Sequence, residues 1–192
     1  MPALQNIPEL TFAGIGVASA EEWFGDEIPD REIVEETLKI QREKAQEFTT
    51  QYGGTIYDSY ESLVTAQNLE AVYLPLPPAL HYKWAKKALE SGKHVLVEKP
   101  STVSAQDTAD LAALAEEKGL ALHENYMFAF HKQLEAIQET VASGEIGEIR
   151  LYRVSFGFPR RAAGDFRYNK ELGGGASVSY THLRAHETLS DL

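Results

Sequence analysis

The sequence predicts an α/β protein, with a parallel sheet covered by helices on both faces and then the start of a second region of α+β type. Short apolar runs alternate with helical patterns through the first 125 residues, as repeated strand–helix units require. These runs are continuously apolar, which is typical of strands buried on both faces of a sheet. After Asn125 the pattern changes to one helix and one long, partly alternating strand. We therefore expect one domain over residues 1–125 and the beginning of another over residues 126–176.

The first half of the sheet region is expected to hold two strands around one long helix. An acidic stretch that contains Gly25 and Pro29 indicates a surface loop. A face of apolar residues with helical spacing follows, and Gly53 and Gly54 end it. The expected elements are a strand at Leu10–Ala18, a loop at Glu21–Asp30, a helix at Asp30–Thr50 and a strand at Thr55–Asp58.

The second half repeats the alternation of strand and helix before the pattern changes. Gly92 and Gly119 each end a helix, and Ser104 with Asp107 three residues later forms a variant of the capping box. The expected elements are strands at Ala71–Pro75, His94–Val97 and Ala121–His123, helices at Leu80–Leu89 and from Ser104 to Gly119, then a helix carrying Leu134, Ile137 and Val141 and a strand at Glu148–Phe158.

Composition excludes several classes of function. The formal charge of −11, with lysine and arginine scattered, argues against a nucleic-acid partner, which would require a basic face. The chain has no cysteine, so disulfides and thiol chemistry are excluded, and before about residue 177 the histidines show no spacing typical of a metal site. No apolar run approaches the roughly 20 residues of a membrane span, and the first residues lack a signal pattern. We expect a cytosolic protein with no membrane partner.

Several short motifs occur in a fixed order from about residue 2 to residue 176, and together they resemble the Gfo/Idh/MocA family of oxidoreductases. Within that family they are most similar to the nucleotide-sugar 3-ketoreductases and to the xylose and dihydrodiol dehydrogenases. The motifs are Tyr73–Pro77 with His81, Gly92–Pro100, Glu124–Met127, Gly147–Arg150, Asp165–Tyr168 and Leu172–Ala176.

The resemblance implies a Rossmann-type dinucleotide-binding domain over residues 1–125 and the beginning of a substrate domain over residues 126–176, which in the family often mediates homo-oligomerisation. It implies hydride transfer between NADP, or NAD, and a secondary alcohol or ketone of a sugar, nucleotide sugar or polyol. The family's first strand and Gly-rich turn have no counterpart, so we expect Leu10–Ala18 to be the second strand. The family's Tyr or His acid–base residue is expected beyond Ala176.

Lys99 is the candidate catalytic residue. A lysine at the carboxyl end of a parallel strand lies where open α/β sheets bind ligands, and its ammonium can stabilise an oxygen that gains charge. The resemblance implies this role and adds contact of Lys99 with the nicotinamide ribose, while Glu98 would hold that ribose or position the lysine. The alternative is an exposed surface lysine, which is common.

The resemblance implies further contacts, each with a structural alternative. His81 would lie near the cofactor, or would be a helix-start histidine satisfied by backbone. Asn125 would reach the nicotinamide, or would serve as a turn residue. Arg167 would approach the substrate, or would pair across a domain interface. The full candidate set is Ser19, Leu74, Pro75, Leu76, His81, Glu98, Lys99 and Asn125 for the cofactor and Lys99, Arg167 and Tyr168 for the substrate.

A second interpretation concerns Gly14 and Gly16, which mimic the opening of a GxGxxG phosphate-binding turn. Under the preferred assignment, Ser19 instead lies at the tip of the second strand, where the adenosine ribose is bound. A small residue there leaves room for the 2′-phosphate of NADP, although Glu21 and Glu22 nearby favour NAD.

Two further expectations concern the chain as a whole. Residues 177–192 resemble a translated sequencing adapter, so we assign no role to Tyr180, His182 or His186. The chain is therefore expected to be a fragment, and without a phosphate-binding turn it would be inactive as given. The competing function is a non-catalytic binding or sensor protein on the same scaffold, which would not need the lysine of Glu98-Lys99-Pro100.

Overall fold

The computed structural model describes residues 6–26, 28–153 and 165–174. The chain forms two compact units. The first unit comprises Met1–Val72 and Lys86–His94, and the second comprises Tyr73–Ala85 and Val95–Leu192. Residues 177–192, including Tyr180, His182 and His186, lie outside the described residues.

The described residues contain five strands and six α-helices that alternate along most of their length. The strands are β1 Gly14–Gly16, β2 Thr55–Tyr57, β3 Ala71–Leu74, β4 His94–Glu98 and β5 Leu122–Asn125. The helices are α1 Ala20–Phe24, α2 Arg31–Tyr52, α3 Tyr60–Val64, α4 Pro78–Glu90, α5 Ala105–Lys118 and α6 Lys132–Ala142, with 3₁₀ turns at Met127–Phe130 and Phe166–Tyr168.

The strand pairing has the parallel form that strand–helix–strand units produce. β1 pairs with β2 in parallel, with Gly14 opposite Thr55. A second sheet has the order β3-β4-β5, and β4 runs parallel to β5 with Glu98 opposite Asn125. The α/β class and the parallel pairing are confirmed. The sequence predicts a single sheet, whereas the five described strands form two separate ones, β1-β2 and β3-β4-β5.

Helix ends follow the signals in the sequence. Ser104 caps α5, because its side chain accepts a hydrogen bond from the amide of Asp107, and Gly119 ends that helix in the left-handed conformation. On α4 the predicted apolar face is buried, with Trp84 at 2% exposure. These two helices confirm the predicted elements after β3 and β4.

Three predicted segments differ from the structure. The strand predicted at Leu10–Ala18 shortens to β1, and the loop predicted at Glu21–Asp30 begins as helix α1. Helix α3 was not predicted, because five residues are too few to show a helical period. Of the strand predicted at Glu148–Phe158, residues 148–153 are not in a strand and the rest lie outside the described residues. A strand needs a hydrogen-bonded neighbour, and the described part of the chain gives residues 148–153 none.

The structure also separates the two interpretations of Gly14 and Gly16. A phosphate-binding turn follows the strand, whereas both glycines lie within β1. This position within the strand favours β1 as the second strand of the fold and β2 as the third.

Packing explains why glycine occupies these two positions. A Cβ on Gly14 would lie 2.2 Å from the carbonyl oxygen of Thr55 in the neighbouring strand. A Cβ on Gly16 would lie 3.1 Å from the Cδ1 atom of Leu63, at the end of a flexible side chain. Gly14 is therefore required by close approach of two backbones, and Gly16 much less so.

Helix α6 lies where the sequence predicts a helix carrying Leu134, Ile137 and Val141, but its apolar face is partly exposed. Leu134 and Ile137 are 44% and 43% exposed. Among the described residues, no helix is both long enough and apolar enough to cross a membrane.

Replacing Gly14 by alanine is expected to lower the free energy of unfolding by about 2–3 kcal/mol, because the strands must separate to admit the methyl group. The matched variant Gly16→Ala is expected to cost under about 1 kcal/mol, since Leu63 can rotate away. Urea unfolding of both variants measures the difference. Equal costs for the two substitutions would contradict this packing account.

Candidate functional site

Three neighbouring strands each place one polar side chain at the carboxyl end of the second sheet, and these side chains meet at Glu98. Glu98 is the last residue of β4 and lies opposite Asn125, the last residue of β5. Asn125 Nδ2 donates to Glu98 Oε1 at 2.6 Å, and the Tyr73 hydroxyl from β3 donates to the same oxygen at 2.6 Å. Glu98 and Asn125 were predicted from the sequence as site residues, whereas Tyr73 belongs to a predicted motif but had no predicted role.

The Tyr73 hydroxyl is held in its protonated form. Loss of water around the ring raises its pKa to about 12, and the hydrogen bond to Glu98 and the Glu98 charge add to the effect, while Asn125 opposes it. Tyr73 therefore remains a hydrogen-bond donor to Glu98 throughout the neutral range.

Lys99 follows directly in the chain and is half-buried. Its peptide bond to Pro100 is cis. Among the described residues, its ammonium has no hydrogen bond or ion pair, and in particular none to Glu98. The structure thus does not bring Glu98 and Lys99 together as a pair, and it leaves the ammonium available to a ligand.

His81 connects the turns that follow β3 and β4. The side chain is fully buried, with Nε2 2.7 Å from the carbonyl oxygen of Leu76 and Nδ1 2.8 Å from that of Pro100. Burial lowers the pKa of His81, and the two carbonyls and the charges of Glu98 and Glu124 oppose that shift. The geometry matches the alternative in which this histidine is satisfied by backbone.

The turn after Pro100 is held by side chains that the sequence analysis did not select. The amide of Ser101 donates to Glu124 Oε1 at 3.0 Å. The Thr102 hydroxyl donates to the carbonyl of Ser104 at 2.6 Å and lies 2.7 Å from the hydroxyl of Thr108. The backbone that follows Lys99 in the chain is therefore held in place by these hydrogen bonds.

The turn after β3 contains the other predicted cofactor contacts. Leu74 is buried at 5% exposure and Pro75 is exposed. The carbonyl of Leu76 is already engaged by His81. The side chain of Leu74, the last residue of β3, belongs to the core. Contact with a ligand would therefore come from the turn at Pro75 and Leu76.

The predicted substrate residues lie in a segment that packs against the start of α4. The amide of Ala79 donates to the carbonyl of Leu172 at 3.3 Å, and a Cβ on Gly173 would lie 2.9 Å from Pro78 Cβ. Arg167 forms an ion pair at 3.0 Å with Asp165, two residues earlier in the chain.

Tyr168, the second predicted substrate residue, is 57% exposed. Its side chain is therefore accessible to a ligand, whereas the guanidinium of Arg167 already has the Asp165 carboxylate as a partner.

In the first unit, Ser19 follows β1 and caps α1. Its hydroxyl accepts from the amide of Glu22 at 3.2 Å and donates to Glu21 Oε2 at 2.9 Å. The amide of Ala18 donates to Gln41 Oε1 at 3.2 Å, while Gln41 Nε2 is buried without a hydrogen-bond partner among the described residues. The tip of β1 therefore presents one unsatisfied buried donor.

Comparison with known proteins identifies two family profiles along the chain. The profile "Oxidoreductase family, NAD-binding Rossmann fold" matches residues 10–126. The profile "GFO/IDH/MocA C-terminal domain" matches residues 134–181. The first match covers the region in which the sequence predicts the dinucleotide-binding domain.

Two curated relatives are sugar-modifying enzymes. A dTDP-3,4-didehydro-2,6-dideoxy-alpha-D-glucose 3-reductase from Streptomyces violaceoruber is 46% identical over 134 residues, 70% of this chain and 39% of the relative. A D-xylose 1-dehydrogenase (NADP(+)) from Haloferax volcanii is 42% identical over 123 residues, 64% of this chain and 38% of the relative. The chain thus spans well under half the length of either.

Among solved structures, a 3-ketoreductase from Actinomadura kijaniata in complex with NADP and TDP-benzene superposes with a TM-score of 0.76 at 36% identity. The match covers 92% of this chain and 48% of the ketoreductase. The predicted resemblance to nucleotide-sugar ketoreductases and xylose dehydrogenases is confirmed.

Substituting His81 by leucine is expected to destabilise the protein by about 2–4 kcal/mol, because the backbone carbonyls of Leu76 and Pro100 lose the buried ring between them, which in its neutral form donates a hydrogen bond to one of the two. The matched variant His123→Leu changes an exposed histidine on β5 and is expected to stay within about 0.5 kcal/mol of wild type. Thermal or urea unfolding measures both. A His81→Leu variant as stable as His123→Leu would contradict the role of His81 as a link between the two turns.

The lowered pKa of His81 also leads us to expect that the stability of the protein depends on pH. Since the pKa of His81 in the folded protein lies below its ordinary value of 6.5, the unfolded chain binds more protons as the pH falls through that value. The contribution of His81 to stability is therefore complete above about pH 7 and declines on acidification. Urea unfolding between about pH 7 and pH 5 should show a smaller decline in the free energy of unfolding for His81→Leu than for wild type. A larger decline in the variant would contradict the lowered pKa of His81.

Proposed function

This chain belongs to the Gfo/Idh/MocA family of oxidoreductases, and on that basis we propose that the protein transfers a hydride between a nicotinamide dinucleotide and a sugar, nucleotide sugar or polyol. The reacting centre is a secondary alcohol or its ketone. The observation that carries the proposal is the unpaired ammonium of Lys99 at the carboxyl end of a parallel sheet. Lys99 follows Glu98 in the chain, and the carboxylate of Glu98 is held by side chains of the two neighbouring strands.

Lys99 is proposed as the catalytic residue. Its ammonium donates a hydrogen bond to the substrate oxygen, which gains negative charge as a ketone is reduced, and so stabilises the transition state. In the oxidative direction the same contact favours loss of the hydroxyl proton. Because no described side chain competes for this ammonium, its hydrogens are available to the substrate.

Each of the two units, taken by itself, contains a polar group that fits part of a dinucleotide. In the second unit, Glu98 has one oxygen without a described partner. In the first unit, Gln41 Nε2 is a buried donor without a described partner. When bound, the nicotinamide supplies the hydride acceptor or donor. We propose that Ser19 lies at the adenosine ribose, that Pro75 and Leu76 contact the cofactor by backbone, and that Glu98 accepts a hydroxyl.

Three other predicted cofactor residues have indirect roles in this proposal. Leu74 shapes the turn from the core, His81 holds the turns of Leu76 and Pro100, and Asn125 orients Glu98. Each acts by fixing a group that reaches the ligand. Their side-chain hydrogen bonds, where they have them, are already made within the protein.

NADP is the proposed cofactor, with NAD as the alternative. The superposed ketoreductase is a complex with NADP, and the Haloferax relative is named for NADP(+). Ser19 is small enough to leave room for a 2′-phosphate, whereas the carboxylates of Glu21 and Glu22 beside it favour NAD.

A sugar-type substrate is supported by both curated relatives, of which one acts on a dTDP-linked sugar and the other on xylose. Tyr168 is accessible to such a substrate, and Arg167 would reach it while keeping its partner Asp165. We further propose that the protein is cytosolic, that it assembles as a homo-oligomer through its substrate domain, and that residues 177–192 do not contribute to the site.

The alternative is a protein that binds the dinucleotide without catalysis. Such a sensor would need the cofactor contacts but not an unpaired lysine at the point of hydride transfer. The availability of Lys99 therefore favours the enzyme.

Lys99→Ala is expected to lower kcat by on the order of 10²–10³ while the Kd for NADPH changes by less than about threefold, because the ammonium acts mainly on the transition state. The measurement is NADPH oxidation with candidate sugar ketones, using the complete open reading frame. Lys118→Ala, at the exposed end of α5, is the matched control and should retain wild-type kcat. A Lys99→Ala variant with near-normal turnover would remove Lys99 from the mechanism.

A further inference from the structure

We propose that Tyr73 is a positioning residue that, together with Asn125, fixes the carboxylate of Glu98 so that Oε2 accepts a hydroxyl of the bound ligand. The inference rests on the proposed function. It gives Tyr73 a role that neither the sequence motifs nor the names of the relatives indicate. It also separates the roles of the two carboxylate oxygens. One oxygen binds the protein, and the other is kept for the ligand.

The arrangement of donors around Glu98 supports this division. Both protein donors, the Tyr73 hydroxyl and Asn125 Nδ2, reach Oε1 at 2.6 Å. Among the described residues, no donor reaches Oε2. A carboxylate accepts through both oxygens, so Oε1 has its two donors and Oε2 still has its lone pairs free.

The strand order explains why the carboxylate has one orientation. Tyr73 approaches from β3 on one side of β4, and Asn125 approaches from β5 on the other. Rotation of the carboxylate to exchange its oxygens would break both hydrogen bonds at once. Charge-assisted bonds of this length are among the strong ones in proteins, so the rotation is disfavoured.

Tyr73 does not have the properties of the proton donor, although a tyrosine near a hydride-transfer site suggests that role. Its proton is already directed at Glu98, and its pKa of about 12 is poorly matched to proton transfer near neutral pH. A stable donor to Glu98 is what a positioning role requires. The pH profile of turnover should therefore not depend on this hydroxyl.

The negative charge of Oε2 and its ability to accept hydrogen bonds determine which ligand group it can bind. A carboxylate oxygen accepts a hydrogen bond from a hydroxyl and repels a phosphate or a carboxylate. The hydroxyl has two sources in the proposed reaction, the nicotinamide ribose of the dinucleotide and the sugar substrate. These sources differ in whether the contact exists before the substrate is added.

The experiment compares Tyr73→Phe with Tyr57→Phe in the protein made from the complete open reading frame. Tyr57 is the matched control, since its hydroxyl bonds the side chain of Asn68 in the first unit. The measurements are the Kd for NADPH and for NADH by fluorescence titration without substrate, then kcat, the KM for the sugar and the pH profile of kcat.

Tyr73→Phe is expected to weaken one ligand by about three- to tenfold, with kcat within about twofold of wild type and an unchanged pH profile. A rise in the dinucleotide Kd assigns Oε2 to the ribose, and a rise in the sugar KM alone assigns it to the substrate. Asn125→Ala removes the other donor and should affect the same constant. Tyr57→Phe should change none of them.

Two results would overturn the proposal. The first is a Tyr73→Phe variant with wild-type Kd and KM values, and the second is a loss of kcat with a shifted pH profile, which would make Tyr73 the acid. Thermal unfolding of each variant shows whether it is folded, and Asn125→Ala provides the test if Tyr73→Phe is not. Failure of the wild-type protein to bind any nicotinamide dinucleotide would instead refute the proposed function.

Discussion

The site depends on one geometric constraint: parallel strands end at the same edge of their sheet, so residues at or near the ends of adjacent strands lie close together. In this chain the edge brings Tyr73, Glu98 and Asn125 together, one from each of β3, β4 and β5. Lys99 inherits its position from the same edge, because it is the next residue after Glu98. Any change in the register of β4 and β5 would separate Glu98 from Asn125.

Most polar groups at this edge already make hydrogen bonds within the protein. The few that do not are the ones that could bind a ligand. Both ring nitrogens of His81 lie within hydrogen-bond distance of backbone carbonyls, and the side chains of Asn125 and Tyr73 both donate to Glu98. The Lys99 ammonium and one Glu98 oxygen have no such partner in the described part of the chain. These are the two groups that we propose act on the ligand, the ammonium as a donor and the Glu98 oxygen as an acceptor.

The sequence predicted the elements that carry local signals and missed those fixed by tertiary contact. Caps such as Ser104 and terminal glycines such as Gly119 defined α5, because capping is a local interaction. Gly14 and Gly16 mimicked a phosphate-binding turn, since the spacing alone does not show that Thr55 O lies where a Cβ would be. Tyr73 was missed because its contact with Glu98 spans 25 positions of sequence and depends on which strands are neighbours.

A crystal structure of the complete protein with NADPH bound would decide whether this edge of the sheet is the reaction site. We expect the nicotinamide at the carboxyl end of β4, with the Lys99 ammonium facing the side from which a substrate would approach. The hydrogen bonds of Tyr73 and Asn125 to Glu98 should be retained. A dinucleotide bound away from this edge, or a Lys99 side chain directed into solvent in the complex, would exclude the edge as the place of hydride transfer.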